Sequence, residues 1–341
     1  MIKMTYLNQN FYKMKKLLFI STLLFSFLLI SCSTDTGNNS STTNPVDVYV
    51  AGSKNEQACY WKNGQEVLLN DGLGAEADSV FVSNCDVHVF GTKYFDNFTE
   101  QDLYWKNNVL TNLTQTLSTP DQMVIKITGY DVVGDDVYVV GYTKNPWIAA
   151  EIYDLVYWKN GIKTVVAPAN NPTYKSTIKV VNNSVYITGN TLNCFDVCNG
   201  IYVNGVFQPT TIGKVVYDFT IKNNEIYVYG TDFVQNSVFY KNLSTNIETN
   251  NPLIHKNIKL IFDNNDVYIS NGSSIYKNNN IIYESSFFSF YIDFTALNEN
   301  VYILKREGDF GTTDVLYINN INVLQTFIGE GKFNSIAVVQ K

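Results

Sequence analysis

The sequence predicts an all-β protein, a seven-bladed β-propeller of four-stranded antiparallel blades, and three observations lead to that fold. A phrase that reads "DVYVAG" at 47–52 returns in altered form six times, the last at 300–305. A second phrase, "YWKNG" at 60–64, alternates with it through seven copies. Successive copies of the first phrase start 34 to 50 residues apart, a spacing typical of propeller blades. The third observation is a strand-like segment left over at the C-terminus.

The chain begins with a segment that has the form of a secretory signal. Two lysines, Lys15 and Lys16, precede an apolar stretch that is too short for a membrane span and ends in small residues before Cys32. The letters "LISC" at 29–32 resemble the bacterial lipobox, so we expect cleavage after residue 31 and lipidation at Cys32. An ordinary signal peptide is the alternative. Met14 is a possible true start of the chain.

Residues 32–45 contain the lipidated cysteine and a Ser/Thr/Asn/Gly run that we expect to be a flexible tether. The propeller domain is then 46–341. The whole chain has a net charge of −7, and residues 1–31 hold four lysines and no acid, which leaves −11 (−7 minus 4). An acidic chain without a basic cluster is a poor nucleic-acid binder. We therefore expect the protein to be held to the membrane by its lipid and not by charge. We also expect it to be a monomer.

Each phrase is interpreted as one strand of a hairpin. Runs such as "KVVNNSVYITG" and "DFTIKNNEIYVYG" place a second strand and an Asn pair ahead of the first phrase. Asn tolerates the positive φ of tight turns, and Asn-Gly behind the second phrase is a strong hairpin signal. Each unit therefore has four strands, as two hairpins joined by a variable loop, and such units in a ring are propeller blades.

The two ends of the domain predict how the ring closes. The first phrase has no strand ahead of it, because the chain before it is the tether. The last unit ends near Phe327, and the chain then adds "KFNSIAVVQ" at 332–340, which supplies the missing strand. Pairing this segment with 48–52 closes the ring and removes an exposed sheet edge.

Aromatic residues within the phrases are predicted to be structural. Trp61, Trp105 and Trp158 recur at one register, so we expect them to pack between blades, where large aromatic side chains bury much area. His88 lies inside a strand where other copies have Tyr, and it is also predicted to be a packing residue.

Function on a rigid scaffold concentrates in the loops that vary. Long loops at 92–102, 142–154 and 190–200 join the second and third strands of blades 2 to 4 on one face, and Trp147 is the only tryptophan outside the repeat register. Aromatic and acidic side chains together can hold a glycan or a protein. The candidate binding residues are Trp147, Tyr94, Phe95, Asp96, Glu151, Tyr153, Asp154, Tyr174 and Phe195. The alternative is that they only pack the loops onto the ring.

A carbohydrate-active enzyme, either a glycoside hydrolase or a lyase, is the alternative function. Its carboxylate pair would be Asp96 with Glu151 or Asp154. The sequence contains no G-x-S-x-G, H-E-x-x-H or phosphate-binding motif, so we predict no catalytic residue, cofactor or metal.

The cysteines of the domain leave several interpretations open. Cys194 and Cys198 lie in one loop, where a disulfide is favoured over free thiols or a metal pair. The sequence leaves open whether Cys59 pairs with Cys85.

The serial "DVYVAG…YWKNG" units resemble repeat lipoproteins of the Bacteroidota. The resemblance covers nearly all of 47–341, and it implies export and a propeller fold. It brings no catalytic residues. We therefore expect a lipid-anchored protein of the cell envelope, in the outer membrane, with its periplasmic or surface orientation left open.

Overall fold

The computed structural model describes residues 45–341 except 96–98, 149–151, 170–174, 191–198, 210–212, 252–258, 287–288, 309–312 and 329–330. The described residues form seven four-stranded antiparallel sheets, which are the blades of the predicted propeller. Pro45–Gln340 is one unit. Residues 1–44, with the expected signal, Cys32 and tether, lie outside the described residues.

The strands of blades 1 to 4 follow one another in the chain: β1 (Val46–Lys54), β2 (Gln57–Lys62), β3 (Gln65–Leu73), β4 (Ala75–Ser83), β5 (Asp86–Tyr94), β6 (Glu100–Lys106), β7 (Val109–Asn112), β8 (Met123–Val133), β9 (Asp136–Lys144), β10 (Tyr153–Lys159), β11 (Ile162–Ala169), β12 (Ile178–Val181), β13 (Ser184–Asn190), β14 (Asn199–Val203) and β15 (Val206–Pro209). One short helix, α1 (Leu113–Leu117), follows β7, and its first turn is capped by the Asn112 side chain. No helix among the described residues is long and apolar enough to cross a membrane.

The remaining strands complete the ring: β16 (Lys214–Lys222), β17 (Glu225–Asp232), β18 (Ser237–Asn242), β19 (Glu248–Asn251), β20 (Lys259–Asp263), β21 (Asp266–Ser270), β22 (Ser274–Lys277), β23 (Asn280–Glu284), β24 (Phe290–Leu297), β25 (Asn300–Glu307), β26 (Thr313–Ile318), β27 (Asn322–Ile328) and β28 (Gly331–Gln340). Blades 2 to 7 each use four consecutive strands. Blade 1 has the order β28-β1-β2-β3.

The predicted closure by the C-terminal strand is confirmed. Strand β28 pairs antiparallel with β1, with Val338 opposite Val48 and Phe333 opposite Gly52. It also contacts β24 of blade 7 and β4 of blade 2, the inner strands on either side of it. The inner strand of blade 1 therefore comes from the end of the chain, and the other three come from its beginning.

In blades 1, 2, 3 and 6 the repeated letters Asp, Lys and Asn form a small polar group at one end of a hairpin. In blade 1 the Asn63 side chain accepts from the Val48 N–H at 2.9 Å and donates to Asp47 at 2.7 Å. The Lys62 ammonium lies 3.3 Å from Asp47 and 5.6 Å from the centre of the Tyr49 ring. Asn63 itself has a φ of 50°, the left-handed turn conformation that Asn tolerates. The two phrases are therefore conserved within this chain because their polar letters bind each other across two strands.

The tryptophans of the second phrase pack between blades, as predicted. Trp61 is 1% exposed and packs against Tyr302 and Leu316 of blade 7. Trp105 lies in the core between blades 1 and 2, where its indole N–H donates to the Asn70 carbonyl at 2.8 Å. Trp158 packs against blade 2 in the same manner. His88 is fully buried, also as predicted, and its Nδ1 lies 2.7 Å from the Tyr104 hydroxyl.

The glycine that ends the first phrase is required by a bulge in the neighbouring inner strand. Opposite Gly91 the register shifts between Ala77 and Ser79, so Asp78 is an extra residue in β4. A Cβ on Gly91 would overlap the carbonyl oxygen of Glu76. The same overlap with backbone arises at Gly52, Gly141 and Gly230.

We expect Gly91→Ala to lower the free energy of unfolding by about 3 kcal/mol, because the obstructing atom belongs to the backbone and cannot rotate away. Gly189→Ala is the matched control, since its new methyl group would first meet the movable Tyr202 ring at 3.0 Å. Urea denaturation of both variants measures the difference. Equal losses would show that the bulge does not dictate the glycine.

The blades give the propeller two unlike faces. The turn face carries the short hairpin turns within each blade, such as 63–64 and 84–85 in blades 1 and 2. The loop face carries the connections between second and third strands, which leave β5 at Tyr94 in blade 2 and β9 at Lys144 in blade 3.

Candidate binding face

A channel runs along the axis of the ring and is lined by the inner strands of all seven blades. Its volume is about 850 Å³. Its walls combine aromatic rings with charges of both signs. The charged residues are Asp78, Glu100, Asp102, Lys126, Lys175, Lys179, Asp218, Lys259 and Asp293.

Several of these charges hold neighbouring blades together. The Lys179 ammonium lies 2.7 Å from Asp131, and the other Asp131 oxygen accepts from the Val180 N–H at 2.8 Å. Asp131 belongs to blade 3, whereas Lys179 and Val180 belong to blade 4. In the same way Asp293 of blade 7 pairs with Lys259 of blade 6 and accepts from the Ile336 N–H of blade 1 at 3.0 Å. The role of these charged side chains is therefore to hold neighbouring blades of the ring together.

The charges on blades 2 to 4 near the loop face have fewer partners. Asp78 accepts from the Thr92 hydroxyl at 2.9 Å, and Glu100 is exposed. Lys126 of blade 3 and Lys175 of blade 4 are exposed, and neither has an ion-pair partner among the described residues. This sector of the channel therefore offers both carboxylates and ammonium groups to a ligand.

Two of the carboxylates in blade 2 are held in an environment that disfavours their charge. Burial, together with the negative charge of Glu100, raises the pKa of Asp102 to about 7, although hydrogen bonds from the Ile127 N–H and the Thr114 hydroxyl act in the opposite direction. Burial also raises the pKa of Asp78 to about 6, although its bond from Thr92 acts in the opposite direction. Carboxyl groups whose pKa is strongly raised are more common at functional sites than elsewhere.

The raised pKa of Asp102 predicts how stability changes with pH. The folded chain binds the Asp102 proton more tightly than the unfolded chain, so this contribution to stability is complete below about pH 4 and is lost as the pH rises through about 7. We expect Asp102→Asn to raise the free energy of unfolding at pH 8 by roughly 2–4 kcal/mol and to change it little at pH 4. Urea midpoints at the two pH values measure this, with the exposed Asp121→Asn as control. A variant that is no more stable than the parent at pH 8 would contradict it.

The structure places three of the predicted binding residues on the loop face. Tyr94 ends β5, is 58% exposed and lines the mouth of the channel beside the carboxylates of blade 2. Phe95 is 39% exposed and lies under the Lys93 ammonium. Trp147 is 77% exposed in the connection after β9, where its backbone N–H donates to the Asn145 side-chain oxygen at 2.9 Å.

Two predicted loop residues are strand residues. Tyr153 and Asp154 begin β10 and pair with Lys144 and Thr143 of β9, so the connection is shorter than the loop expected from the sequence. Tyr153 is half-buried against the core of blades 3 and 4, and Asp154 accepts from the Gln122 amide at 3.4 Å. The pairing of β9 with β10 continues beyond both repeat phrases as far as Lys144 and Tyr153, so these residues belong to the hairpin.

The other predicted residues cannot be placed. Asp96, Glu151, Tyr174 and Phe195 lie outside the described residues, as does the predicted pair Cys194 and Cys198. Both Asp96 pairings proposed for an enzyme therefore remain sequence predictions. Cys59 is a buried free thiol in β2, and burial raises its pKa to about 12, which makes it unreactive.

Sequence reasoning missed Asp78, Glu100 and Asp102. For Asp78 the signal was present in "AEADSVFVS", where acidic residues occupy the first strand of blade 2 at positions that alternate with apolar ones, whereas Glu100 and Asp102 lie in the third strand. That alternation identifies a strand, but it cannot tell the channel side of an inner strand from its core side.

Comparison with known protein families finds no match, and no curated protein sequence is similar to this chain. Solved structures are similar in fold. The β-propeller domain of the Trilobed protease from Pyrococcus furiosus has a TM-score of 0.54 at 11% identity, over 84% of this chain and 94% of that one. The periplasmic gluconolactonase of Pseudomonas aeruginosa has a TM-score of 0.51 at 9% identity, over 86% of this chain and 99% of that one.

An acylaminoacyl peptidase from Pyrococcus horikoshii is also similar, with a TM-score of 0.53 at 11% identity over 85% of this chain. The match spans about half of the peptidase, 51% of its length. At these identities the similarity shows the propeller fold and no shared activity.

Proposed function

We propose that this protein is a non-enzymatic binding module, anchored by a lipid at Cys32 to the cell envelope, in the outer membrane. Its loop face over blades 2 to 4 binds a glycan or an envelope protein. The lipid attachment and the location rest on the sequence features of residues 1–45.

The observation that supports a binding role is the contrast between two kinds of tryptophan. Trp61, Trp105 and Trp158 are at most 1% exposed, whereas Trp147 is 77% exposed on the loop face. A large aromatic side chain costs free energy when it is left in water, and exposed aromatic residues are enriched among the contacts that dominate binding. Tyr94 adds a second exposed ring at the mouth of the channel.

The mouth of the channel supplies the polar part of the site. Asp78 and Glu100 can accept hydrogen bonds from hydroxyl, amide or ammonium groups, and Lys126 and Lys175 can donate to hydroxyl or carboxylate oxygens. A hydroxyl-rich glycan and a polar peptide segment both fit this mixture of charges beside aromatic rings.

A glycan array and an envelope pull-down with the domain 46–341 test the proposal. We expect Trp147→Ala to weaken a ligand by about 1–3 kcal/mol, a loss of about fivefold or more in affinity, if the indole stacks on it. Ile162→Ala is the control, because Ile162 is similarly exposed, at 75%, on the turn face. Unchanged affinity of Trp147→Ala, or an equal loss in both variants, would contradict a site on the loop face.

The hydrolase alternative is favoured by one observation. Asp102 has a pKa of about 7, which suits a general acid at neutral pH. Incubating the domain with the glycans that it binds, and analysing the products, tests this alternative. Cleavage that Asp102→Asn abolishes while binding persists would replace the binding proposal with an enzyme.

A further inference from the structure

The turn face carries a ring of exposed aliphatic side chains near its outer edge. Within the described chain, blades 2 to 7 each place one such residue beside the turn between their third and fourth strands, and blade 1 has Gln65 there. Their exposed fractions run from 54% to 79%. The set is Val109, Ile162, Val206, Ile247, Ile281 and Ile321. Single exposed aliphatic residues need no explanation, but here each of six blades has one at, or within one residue of, the start of its fourth strand.

Four aspartates on the same face form ion pairs with lysines. Asp47 with Lys62, Asp86 with Lys106, Asp136 with Lys159 and Asp266 with Lys277 form the repeat ion pairs at the turns, with closest distances of 3.3, 2.6, 2.7 and 2.7 Å. Paired opposite charges leave little net field at a distance. The turn face therefore presents ion-paired and Asn-rich turns, exposed carboxylates at Asp135 and Glu299, and separate aliphatic side chains between the turns.

The chain also joins the propeller on this face. Val46, the first residue of β1, pairs with Gln340, and the next residue, Asp47, is bonded to Asn63 in the first hairpin turn. Residues 33–45 separate this point from Cys32. A flexible segment of that length spans roughly 20 Å on average. A lipid at Cys32 would hold the turn face, and not the loop face, next to the bilayer.

We propose that the turn face rests on the lipid surface of the membrane, with the aliphatic ring at headgroup depth, and that the loop face points away from it. This inference rests on the lipid anchor of the proposed function. The aliphatic residues lie one to a blade, separated by Asn-rich turns, so they form no continuous patch of the kind that a stable protein interface needs. Lipid headgroups can close around separate side chains, as they do around the apolar side of an interfacial helix.

The test compares two positions in blade 5 with an environment-sensitive fluorophore on an introduced cysteine. Ile247→Cys lies on the turn face and Phe233→Cys on the loop face, and the native side chains are 66% and 61% exposed. Cys85, Cys194 and Cys198 are replaced by serine. Residues 33–341 carry an N-terminal histidine tag and are attached to phosphatidylcholine vesicles that contain a nickel-chelating lipid, so the chain is held where the lipid would hold it.

We expect the emission of the Ile247→Cys label to rise at least about twofold, shift to the blue and be quenched by chain-brominated phosphatidylcholine, because the label enters the interface. The Phe233→Cys label should change little. Replacing Ile162 and Ile321 by Ser should reduce the Ile247→Cys response.

An equal response at both positions, a response only at Phe233→Cys, or none at either would overturn the proposed orientation. A dimer in solution that already shields the Ile247→Cys label would overturn it in favour of a second copy as the occupant. Lipidation is tested separately, by fractionating cells that express the parent or Cys32→Ser. A Cys32→Ser chain that stayed membrane-bound and acylated would show that Cys32 is not the lipid anchor. The vesicle result would still hold, because there the chain is attached by its histidine tag.

Discussion

Deletion of residues 333–341 should leave a propeller that cannot close, with a loss of several kcal/mol in the free energy of unfolding and aggregation of the product. The deletion removes most of β28, which is paired with β1 along its length. It also removes Phe333, which is fully buried and packs edge-on against Trp61 with ring centres 5.2 Å apart. The inner edge of β1 would then be an unpaired strand edge facing the channel.

Thermal melting and sedimentation of the domain 46–332 measure this effect, and deletion of Lys341 alone is the control. Asp314 adds to the expected loss, because its carboxylate accepts from the Phe333 N–H at 2.7 Å and would lose that bond. A truncated domain that melted like the parent and stayed monomeric would show that β28 does not hold the ring closed.

Replacement of Trp61 by Ala should lower the free energy of unfolding by roughly 3–5 kcal/mol, through lost apolar burial and the cavity that remains between blades 7 and 1. Its indole contacts Tyr302, Leu316 and Phe333 in a core that smaller neighbours cannot refill. The same substitution at Trp147 should change stability by less than about 0.5 kcal/mol, because that side chain is largely in water.

Urea denaturation of Trp61→Ala and Trp147→Ala provides the comparison, and the two variants lose the same atoms. If Trp147→Ala unfolds as easily as Trp61→Ala, the loop after β9 is part of the structural core, and the binding role proposed for Trp147 loses its support.

The repeat made most of the fold predictable from the sequence. Seven copies of two phrases predict strands, turns and blade number together, because each phrase is one strand of a hairpin and Asn-containing turns with positive φ adjoin it. The segment at 332–340 revealed the ring closure. The first unit lacked its first strand, and this segment was a strand that belonged to no unit. Trp61 and His88 were recognised as packing residues by the same logic, from their place in the repeat.

The candidate site was predicted less completely, because it depends on residues that do not repeat. Trp147 and Tyr94 were found as aromatic residues in variable loops, and both are exposed on the loop face. Tyr153 and Asp154 were assigned to a loop but belong to β10, because strand pairing extends beyond the phrase. Asp78 and Asp102 were missed, since a single acidic residue in a strand looks the same whether it faces water or a channel.

The sequence by itself determined the propeller, the number of blades, the closing strand and the structural role of the repeated residues, because these depend on local periodicity and on counting. Only the tertiary structure decided which side chains line the channel and by how much burial raises the pKa of its carboxyl groups. Asp78 and Asp102 are separated along the chain, and burial raises the pKa of each in the folded ring, where Asp102 also accepts a hydrogen bond from Ile127 of blade 3. Burial and the pairing of charges between blades are properties of the closed ring, and no single unit of the repeat contains them.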